Sequence, residues 1–403
     1  MKGGLRLRHF EYISKDKEAA VFYQAPLRFT KDSDRELLAH SLGATLYMPG
    51  IRASICADIV SRKHDGLTSL VVCLEDSISD KEVEKAEWNL ITQLQQLSMN
   101  IEKGLLSYED LPLIFIRVRN EVQMRFVAEQ LGNSLAMLTG FVFPKFSFEG
   151  GQKYLDTLHS INASNHLHLY GMPILETAEV IYKETRMSAL LEIKQLLDQN
   201  FVNILNVRIG ATDFSGLFGI RRSSDTTVYD ISVIRDCIAD IINMFARSEQ
   251  EYTVSGPVWE YFKKGDRIFK PQLRQSPFES MGKEGLSFRK GILNQYLDGL
   301  IKEVNLDKNN GLTGKTIIHP THIKPVHALS VITFEEYMDA KSILESADGL
   351  AGVMKSRHSN KMNEIKPHYN WAKKIITKAK SYGVFHDHNS YIDLLTEPET
   401  LYI

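Results

Sequence analysis

Short apolar runs, rich in β-branched residues, alternate with longer amphipathic stretches through most of this chain. The runs predict strands at Ala44–Met48, Ser69–Leu74, Leu113–Val118, Phe141–Phe143, Tyr170–Leu175, Ile204–Ile209, Tyr252–Ser255 and Thr316–Ile318. Apolar residues at helical spacing fill most of the gaps, for example Lys81–Leu97, Val122–Leu131, Met187–Gln199, Ile231–Phe245 and Leu286–Val304. Strand followed by helix, eight times over, predicts a parallel sheet closed on itself, a (β/α)8 barrel of class α/β. A helical piece at Ser33–Leu42 precedes the first strand and is placed to plug the barrel bottom. After the last strand come helices at Phe334–Ser346 and His368–Tyr382, joined by the polar stretch Lys355–Lys366. The expected organisation is an N-terminal extension (1–40), a barrel domain (41–330) and a C-terminal helical subdomain (331–403).

Length and composition agree with that pattern. The 403 residues exceed the roughly 250 of a bare barrel. Lys and Arg total 48 against 50 Asp and Glu, a formal net charge of -2, so no global field draws nucleic acid or an anionic membrane, and a small molecule is the expected ligand. Only three cysteines occur, Cys56, Cys73 and Cys237, without a CxxC pair, which fits a reducing compartment and buried thiols. The N-terminus carries no signal-like apolar stretch and no run reaches membrane-spanning length, so the expected location is cytoplasmic and not membrane-bound.

A parallel barrel places its active site at the C-terminal ends of its strands. In order, those ends carry Pro49-Gly50, Glu75-Asp76, Arg117 with Arg119, Pro144-Lys145, Glu176, Asp213, Ser255-Gly256 and His319-Pro320. Glu176 and Asp213 lie 37 positions apart but follow consecutive strands, which would bring their carboxylates together. Two carboxylates with the remaining positions open to water and substrate oxygens suit Mg²⁺. Glu75 and Asp76 would orient the ion's hydration. Any one of these acids alone reads more simply as a helix cap or an ion-pair partner; four around one barrel mouth do not. Arg117 and Arg119, two positions apart, would face the same side of their strand, where a fixed cation stabilises an enolate or binds a carboxylate. Lys145 would add to that field as a substrate-binding group. Arg208 lies within a strand and fits either an interior ion pair or an additional substrate anchor.

The histidines say less. His166 and His168 lie at the wrong end of their strand for the mouth, His319 reads as a loop-holding residue and His386-Asp387-His388 as a solvated turn. From Lys355 to Lys380 eight basic residues face one acid, Glu364, a patch suited equally to phosphates of a nucleotide or coenzyme and to a solvated helix face. No GxGxxG, P-loop, nucleophile elbow or paired catalytic cysteine occurs, which demotes dinucleotide, P-loop and acyl-enzyme chemistry.

Taken together the motifs resemble the citrate lyase beta subunit and malyl-CoA lyase group of the HpcH/HpaI aldolase superfamily, a TIM-barrel family. Leu46-Tyr47-Met48-Pro49-Gly50 resembles its opening strand, Leu74-Glu75-Asp76-Ser77-Ile78 its LEDAV, Ile116-Arg117-Val118 its VRVN and Phe143-Pro144-Lys145 its LPK. Glu176-Thr177-Ala178 matches ETA, Gly210 with Asp213 and Gly219 reproduces GxxDxxxxxG, and Gly314-Lys315-Thr316-Ile317-Ile318-His319-Pro320 follows GKxxIHP. Lys361-Met362 and Pro367-His368 echo a KMxDxPH lid motif that is here one residue longer and offers Glu364 for its Asp. The N-terminal extension, Arg35-Glu36-Leu37-Leu38 and the pair Arg221-Arg222 are closest to a carbon–carbon bond lyase branch associated with tellurium-resistance and stress operons.

The resemblance implies a Mg²⁺-dependent lyase or aldolase acting on a 2-oxo or 2-hydroxy acid through an enolate. Glu176 and Asp213 would hold the metal, Arg117 would stabilise the enolate, and Gly210, Ala211 and Lys145 would contact substrate. Glu75 and Asp76 would assist catalysis, with Glu364, contributed by a neighbouring subunit, as general acid or base. It also implies a CoA- or nucleotide-linked substrate and a homo-oligomer, a trimer or a multiple of one. Two alternatives stay open: phosphoenolpyruvate-type phosphotransfer on the same barrel, and a metabolite-binding stress-operon subunit with little turnover.

Overall fold

Eight parallel strands close into a barrel: β1 (Ala44–Pro49), β2 (Ser69–Cys73), β3 (Leu113–Arg117), β4 (Leu138–Phe143), β5 (Tyr170–Leu175), β6 (Val207–Ile209), β7 (Val254–Trp259) and β8 (Lys315–Ile317). Closure is the pairing of β1 with β8, Ala44 opposite Lys315 and Leu46 opposite Ile317. The computed structural model describes residues 7–262, 297–346, 353–355 and 362–395. The strands are continuous apolar runs because both faces are covered. Outward side chains such as Leu46, Val72, Ile116 and Phe141 pack under the helices, while Val71, Phe115, Val142, Met172 and Ile174 fill the lumen as a separate core.

Around the barrel run α2 (Val83–Glu102), α3 (Glu121–Leu131), α4 (Phe148–Asn165), α5 (Arg186–Gln199), α6 (Ala211–Leu217), α7 (Ser232–Phe245) and α8 (Leu297–Asn309). The front of the predicted helix Leu286–Val304 falls outside the described residues. Before the barrel, α1 (Arg35–Ser41) starts at Asp34, whose side chain accepts from the backbone N–H groups of Glu36 and Leu37. Its Leu38 and Ala39, with Leu42, pack on lumen residues Val71, Leu113, Leu205 and Tyr170, and Arg35 Nε donates to Ile204 O at 2.8 Å. This is the expected plug at the N-terminal ends of the strands.

The C-terminal helices α9 (Phe334–Glu345) and α10 (Ile365–Tyr382) pack on each other, and α10 packs on α1. Ser41 Oγ donates to Ser381 Oγ at 2.9 Å and Tyr382 Oη to His40 O at 2.6 Å. Helix α10 begins three residues before the sequence pattern suggested, because Pro367 sits in the first turn, where no N–H is needed. Two-stranded pairings join Phe22–Gln24 to Val384–Phe385 and Val353–Lys355 to Met362–Glu364. Most of the Lys355–Lys366 stretch, including Lys361, lies outside the described residues. Of the basic residues further on, Lys374 pairs with Glu251 and Lys378 is half-buried, its ammonium pushed down to about 8 by desolvation. All three cysteines are buried and free. No described helix is long and apolar enough to cross a membrane.

Three expectations need correction. The seventh strand does not stop at Ser255: it continues through Gly256 and Pro257 to Trp259, so Ser255-Gly256 is not a strand end. Gly256 lies against α8, where an added β-carbon would come within 2.3 Å of Asp307 Oδ2. Glu260 is the residue that follows β7. The sixth strand is shorter than expected, with Ile204 forming only an isolated bridge to Gly171. Finally, β3 ends at Arg117, so the two-residue alternation does not carry Arg119 to the same partners. Arg119 binds Leu74 O (2.9 Å), Ile78 O (2.6 Å) and Asp80 (2.7 Å) and ties down the loop after β2.

Candidate active site

Acids that follow two different strands converge on a single nitrogen at the end of a third. Arg117, the last residue of β3, points Nη2 at Glu75 Oε2 (2.7 Å), Asp76 Oδ2 (2.9 Å) and Glu176 Oε1 (3.2 Å). Glu75 and Asp76 follow β2 and Glu176 follows β5, so the barrel supplies proximity that the sequence does not. Lys145 completes the group. It follows β4 with φ 47, a left-handed conformation uncommon for a residue with a side chain. Its backbone N–H thereby meets Glu176 Oε1 at 2.8 Å. Its ammonium pairs with Glu75, lies 3.3 Å from Asp76 Oδ1 and 3.9 Å from Asp213 Oδ1.

Asp213 lies in the first turn of α6, three residues after Gly210. Gly210 is not in a left-handed conformation; it is required by space, since an added β-carbon would sit 2.2 Å from Glu176 Oε2 and 2.4 Å from Glu176 Cβ. Gly210 is thus the surface on which the Glu176 carboxylate rests. Ala211 beside it is buried. The spacing of Gly210 and Asp213 places one carboxylate at each side of that contact.

Burial shapes the charges. Glu176 is 4 % exposed, and desolvation with the neighbouring Asp213 carboxylate pushes it up to about 7 against the pull of Arg117. Desolvation also raises Glu75, whereas Asp76 is lowered: there the bonds from Glu75, Arg117 and Lys145 outweigh burial. Burial would lower Arg117, yet Glu176 and Glu75 hold it well above its ordinary value. Four carboxylates therefore face two cations, an excess of two negative charges in a partly desolvated mouth. That excess, and a carboxyl held near neutrality for want of a further cation, fit a hard divalent ion. Among the described residues no three His, Cys, Asp or Glu side chains form a metal cage. Protein ligands would then be limited to Glu176 and Asp213, which suits Mg²⁺, an ion that keeps several waters.

Other expected residues lie elsewhere. Glu364 ends the short hairpin before α10, with its backbone N–H 3.1 Å from His368 Nδ1, and among the described residues it makes no hydrogen bond or ion pair with the Arg117 group. His319 holds its own loop, Nδ1 against Thr321 Oγ1 at 2.8 Å, and its ring stacks on Phe262. Two residues at the mouth escaped the sequence reading. Glu260 binds Thr212 Oγ1 (3.1 Å) and Arg222 (2.9 Å), and the alternation running on past Pro257 was the signal for it. Tyr47 points inward from β1 and is part-exposed; its inward parity with Thr45 was the signal.

A family model described as the C-C bond lyase of the TIM-barrel fold matches residues 36–384. No curated protein sequence matches the chain. Among solved structures, the chain is similar to protein CitE from Mycobacterium tuberculosis in complex with magnesium, acetoacetate and coenzyme A. The identity is 16 %, with 85 % of this chain and 99 % of that one covered, at a TM-score of 0.50. It is also similar to Haloferax volcanii malate synthase in a pyruvate/acetyl-CoA ternary complex, at 11 % identity, with 83 % and 89 % covered and a TM-score of 0.50. At such identities the likeness shows a shared barrel fold.

Proposed function

The chain belongs to the carbon–carbon bond lyase family of the TIM-barrel fold, and on that footing we propose that its barrel mouth acts on a 2-oxo or 2-hydroxy acid with Mg²⁺ held by Glu176 and Asp213. The observation that carries the reading is the convergence of Glu75, Asp76 and Glu176 on Arg117 Nη2, with Asp213 alongside. In the cleavage direction, the hydroxyl on the carbon next to the carboxylate passes its proton to a carboxylate of the mouth and becomes a carbonyl. The electron pair of the breaking carbon–carbon bond goes to the departing carbon, whose adjoining carbonyl takes up the charge as an enolate until that carbon receives a proton. Mg²⁺ would supply Lewis-acid polarisation of the acid's oxygens.

The remaining work falls to side chains. Arg117, fixed by three carboxylates in a desolvated setting, provides a preorganised cation for the enolate charge. Glu75 and Asp76 orient Arg117 and Lys145, and Lys145 offers its ammonium to the substrate. The two similar structures are named with short oxo acids, acetoacetate (a 3-oxo acid) together with magnesium in one and pyruvate (a 2-oxo acid) in the other. Glu364 would take part only from a neighbouring subunit of a homo-oligomer.

The test is ligand-dependent thermal stabilisation of wild type, Glu176→Ala and Asp213→Ala with lactate, pyruvate and glyoxylate, each with and without Mg²⁺. Stabilisation that requires the ion and both carboxylates supports the reading. Stabilisation that ignores Mg²⁺ and survives both substitutions would sink it.

A further inference from the structure

Beneath the Arg117 group lies a buried cation with no anion. Arg208, the middle residue of β6, is 1 % exposed and points into the barrel lumen. Its Nη2 donates to Thr316 Oγ1 at 2.7 Å, its Nη1 reaches Met172 Sδ at 3.9 Å, and its Nε has no partner. The guanidinium carbon lies 5.6 Å from the centre of the Tyr47 ring. Among the described residues no carboxylate pairs with it: the neutral Tyr47 hydroxyl hydrogen-bonds with it and the Arg117 charge repels it. The sequence left two roles for Arg208, an interior ion pair or a substrate anchor; the barrel interior supplies no acid for the first.

An unpaired guanidinium in a packed lumen is costly, because a buried charge needs a compensating partner. The residues beside it are less enclosed. Tyr47 and Thr316 both point inward yet remain part-exposed, whereas Thr316's neighbours Lys315 and Ile317 face outward and are buried. Tyr47 joins the two levels of the site, since the charges of Arg208, Arg117 and Glu176 all act on its hydroxyl. Along β6, Arg208 precedes Gly210 by two residues, roughly 7 Å at the strand rise, and Gly210 supports Glu176. An acid held at Glu176 and Asp213 would therefore find Arg208 below it, within the span of a short dianion.

We propose that Arg208, with Thr316 and Tyr47 beside it, is the floor of the substrate site and binds a second anionic group, so that the substrate is a short acid bearing a carboxylate or phosphate at its far end. The inference rests on the Mg²⁺-dependent acid site described above. It deepens that reading from 2-oxo or 2-hydroxy acid in general to a dianionic one, and it makes Arg208 a specificity-determining residue. The guanidinium fork and its free Nε–H match a carboxylate or phosphate edge.

Three stable 2-hydroxy acids separate the possibilities: lactate has no second anion, malate adds a carboxylate, and 3-phosphoglycerate adds a phosphate. Calorimetric titration of each into wild-type protein with Mg²⁺ is expected to show malate or 3-phosphoglycerate binding at least about 10-fold more tightly than lactate. Whichever is preferred names the second group. Arg208→Met should bring the preferred ligand down to the level at which wild type binds lactate, and its unliganded melting temperature should equal or exceed wild type, since an uncompensated buried charge has been removed. Arg208→Lys, which keeps the charge but loses the fork, should retain part of the preference and serves if the methionine variant does not fold. Equal binding of all three ligands by wild type, or a preference that survives at position 208, overturns this inference while the Mg²⁺ site stands. Binding of lactate that needs neither Mg²⁺ nor Glu176 overturns the acid-site reading and this inference with it.

Discussion

Gly210 and Glu176 are in contact so close that no side chain fits between them: a β-carbon at 210 would lie 2.2 Å from Glu176 Oε2. The only large group available to give way is the Glu176 carboxylate itself. Gly210→Ala is therefore expected to displace that carboxylate, lower Mg²⁺ affinity at least about 10-fold and cost roughly 1–3 kcal/mol of stability. Gly216, in α6, has nothing within 4 Å of its virtual β-carbon, so Gly216→Ala should be neutral or stabilising by about 0.5–1 kcal/mol. Mg²⁺ titration and urea unfolding of the pair check this, and an alanine at 210 that leaves Mg²⁺ affinity intact would remove Glu176 from the metal site.

Arg117 contacts three acids through one nitrogen. Arg117→Met leaves the buried Glu176 and Glu75 without their cation, at a cost of about 3–5 kcal/mol in metal-free buffer. Added Mg²⁺ should restore part of that stability, because it supplies positive charge to the same carboxylates, but turnover should stay abolished. Melting curves with and without Mg²⁺ decide it; a variant as stable as wild type without the ion would mean that Arg117 does not hold this group together.

Acid should destabilise the fold. Desolvation pushes His9 down to about 3, His40 and His322 down to about 4, and His327 well down, so the folded protein keeps them neutral while the unfolded chain protonates them below pH 6.5. Stability from these groups is present above pH 6.5 and lost as pH falls towards 4. Glu176 and Asp307, raised chiefly by burial to about 7 and about 6, act oppositely, since the folded state binds their protons first. Four histidines outweigh two carboxylates, leaving a loss of about 3 kcal/mol per pH unit between pH 6 and 5. His40→Gln should flatten that slope by about one proton. Urea unfolding at pH 7.5, 6 and 5 measures it, and a stability that does not fall below pH 6 contradicts the assignment.

Lys315 should matter far more than a surface lysine. Its ammonium, 1 % exposed, binds Glu303 Oε1 (2.9 Å) and Asp307 Oδ2 (2.7 Å), and Glu303 and Tyr229 connect onward to Arg222 and Asp307. Lys315→Met leaves buried Asp307 without its cation and Glu303 with only Arg222, and is expected to cost about 3–5 kcal/mol. Lys302, paired with Asp230 at 3.0 Å in an exposed setting, should cost less than about 1 kcal/mol when replaced by Met. Equal losses in urea unfolding would show that the Lys315 network contributes nothing beyond a surface pair.

The strands and most helices were legible because burial on both faces writes continuous apolar runs, and the helices between them carry one-sided patterns. Residues 44–48, 170–175 and 187–199 show this, matching β1, β5 and α5 to within one residue. Legibility failed where one residue type does two jobs. Ser255-Gly256 reads as a strand end but lies within β7, because the glycine's missing side chain makes room for Asp307 and the lost donor of Pro257 falls on a strand that still pairs irregularly with β8.

Sequence alone determined the alternation of strands and helices, hence the barrel, and the order of acidic and basic residues at the strand ends. Those are local properties of composition and period, and each strand carries its own. Only the tertiary structure decided which of these charges meet. It put Glu75, Asp76 and Glu176 on the Arg117 nitrogen and turned Arg119 away to the loop after β2. It rested Glu176 on Gly210, packed α10 against the plug at the barrel bottom and left Arg208 in the lumen without an acid. Such pairings depend on strand register and lumen geometry across residues far apart in the chain, and no local pattern encodes the distance between two side chains that only barrel closure brings together.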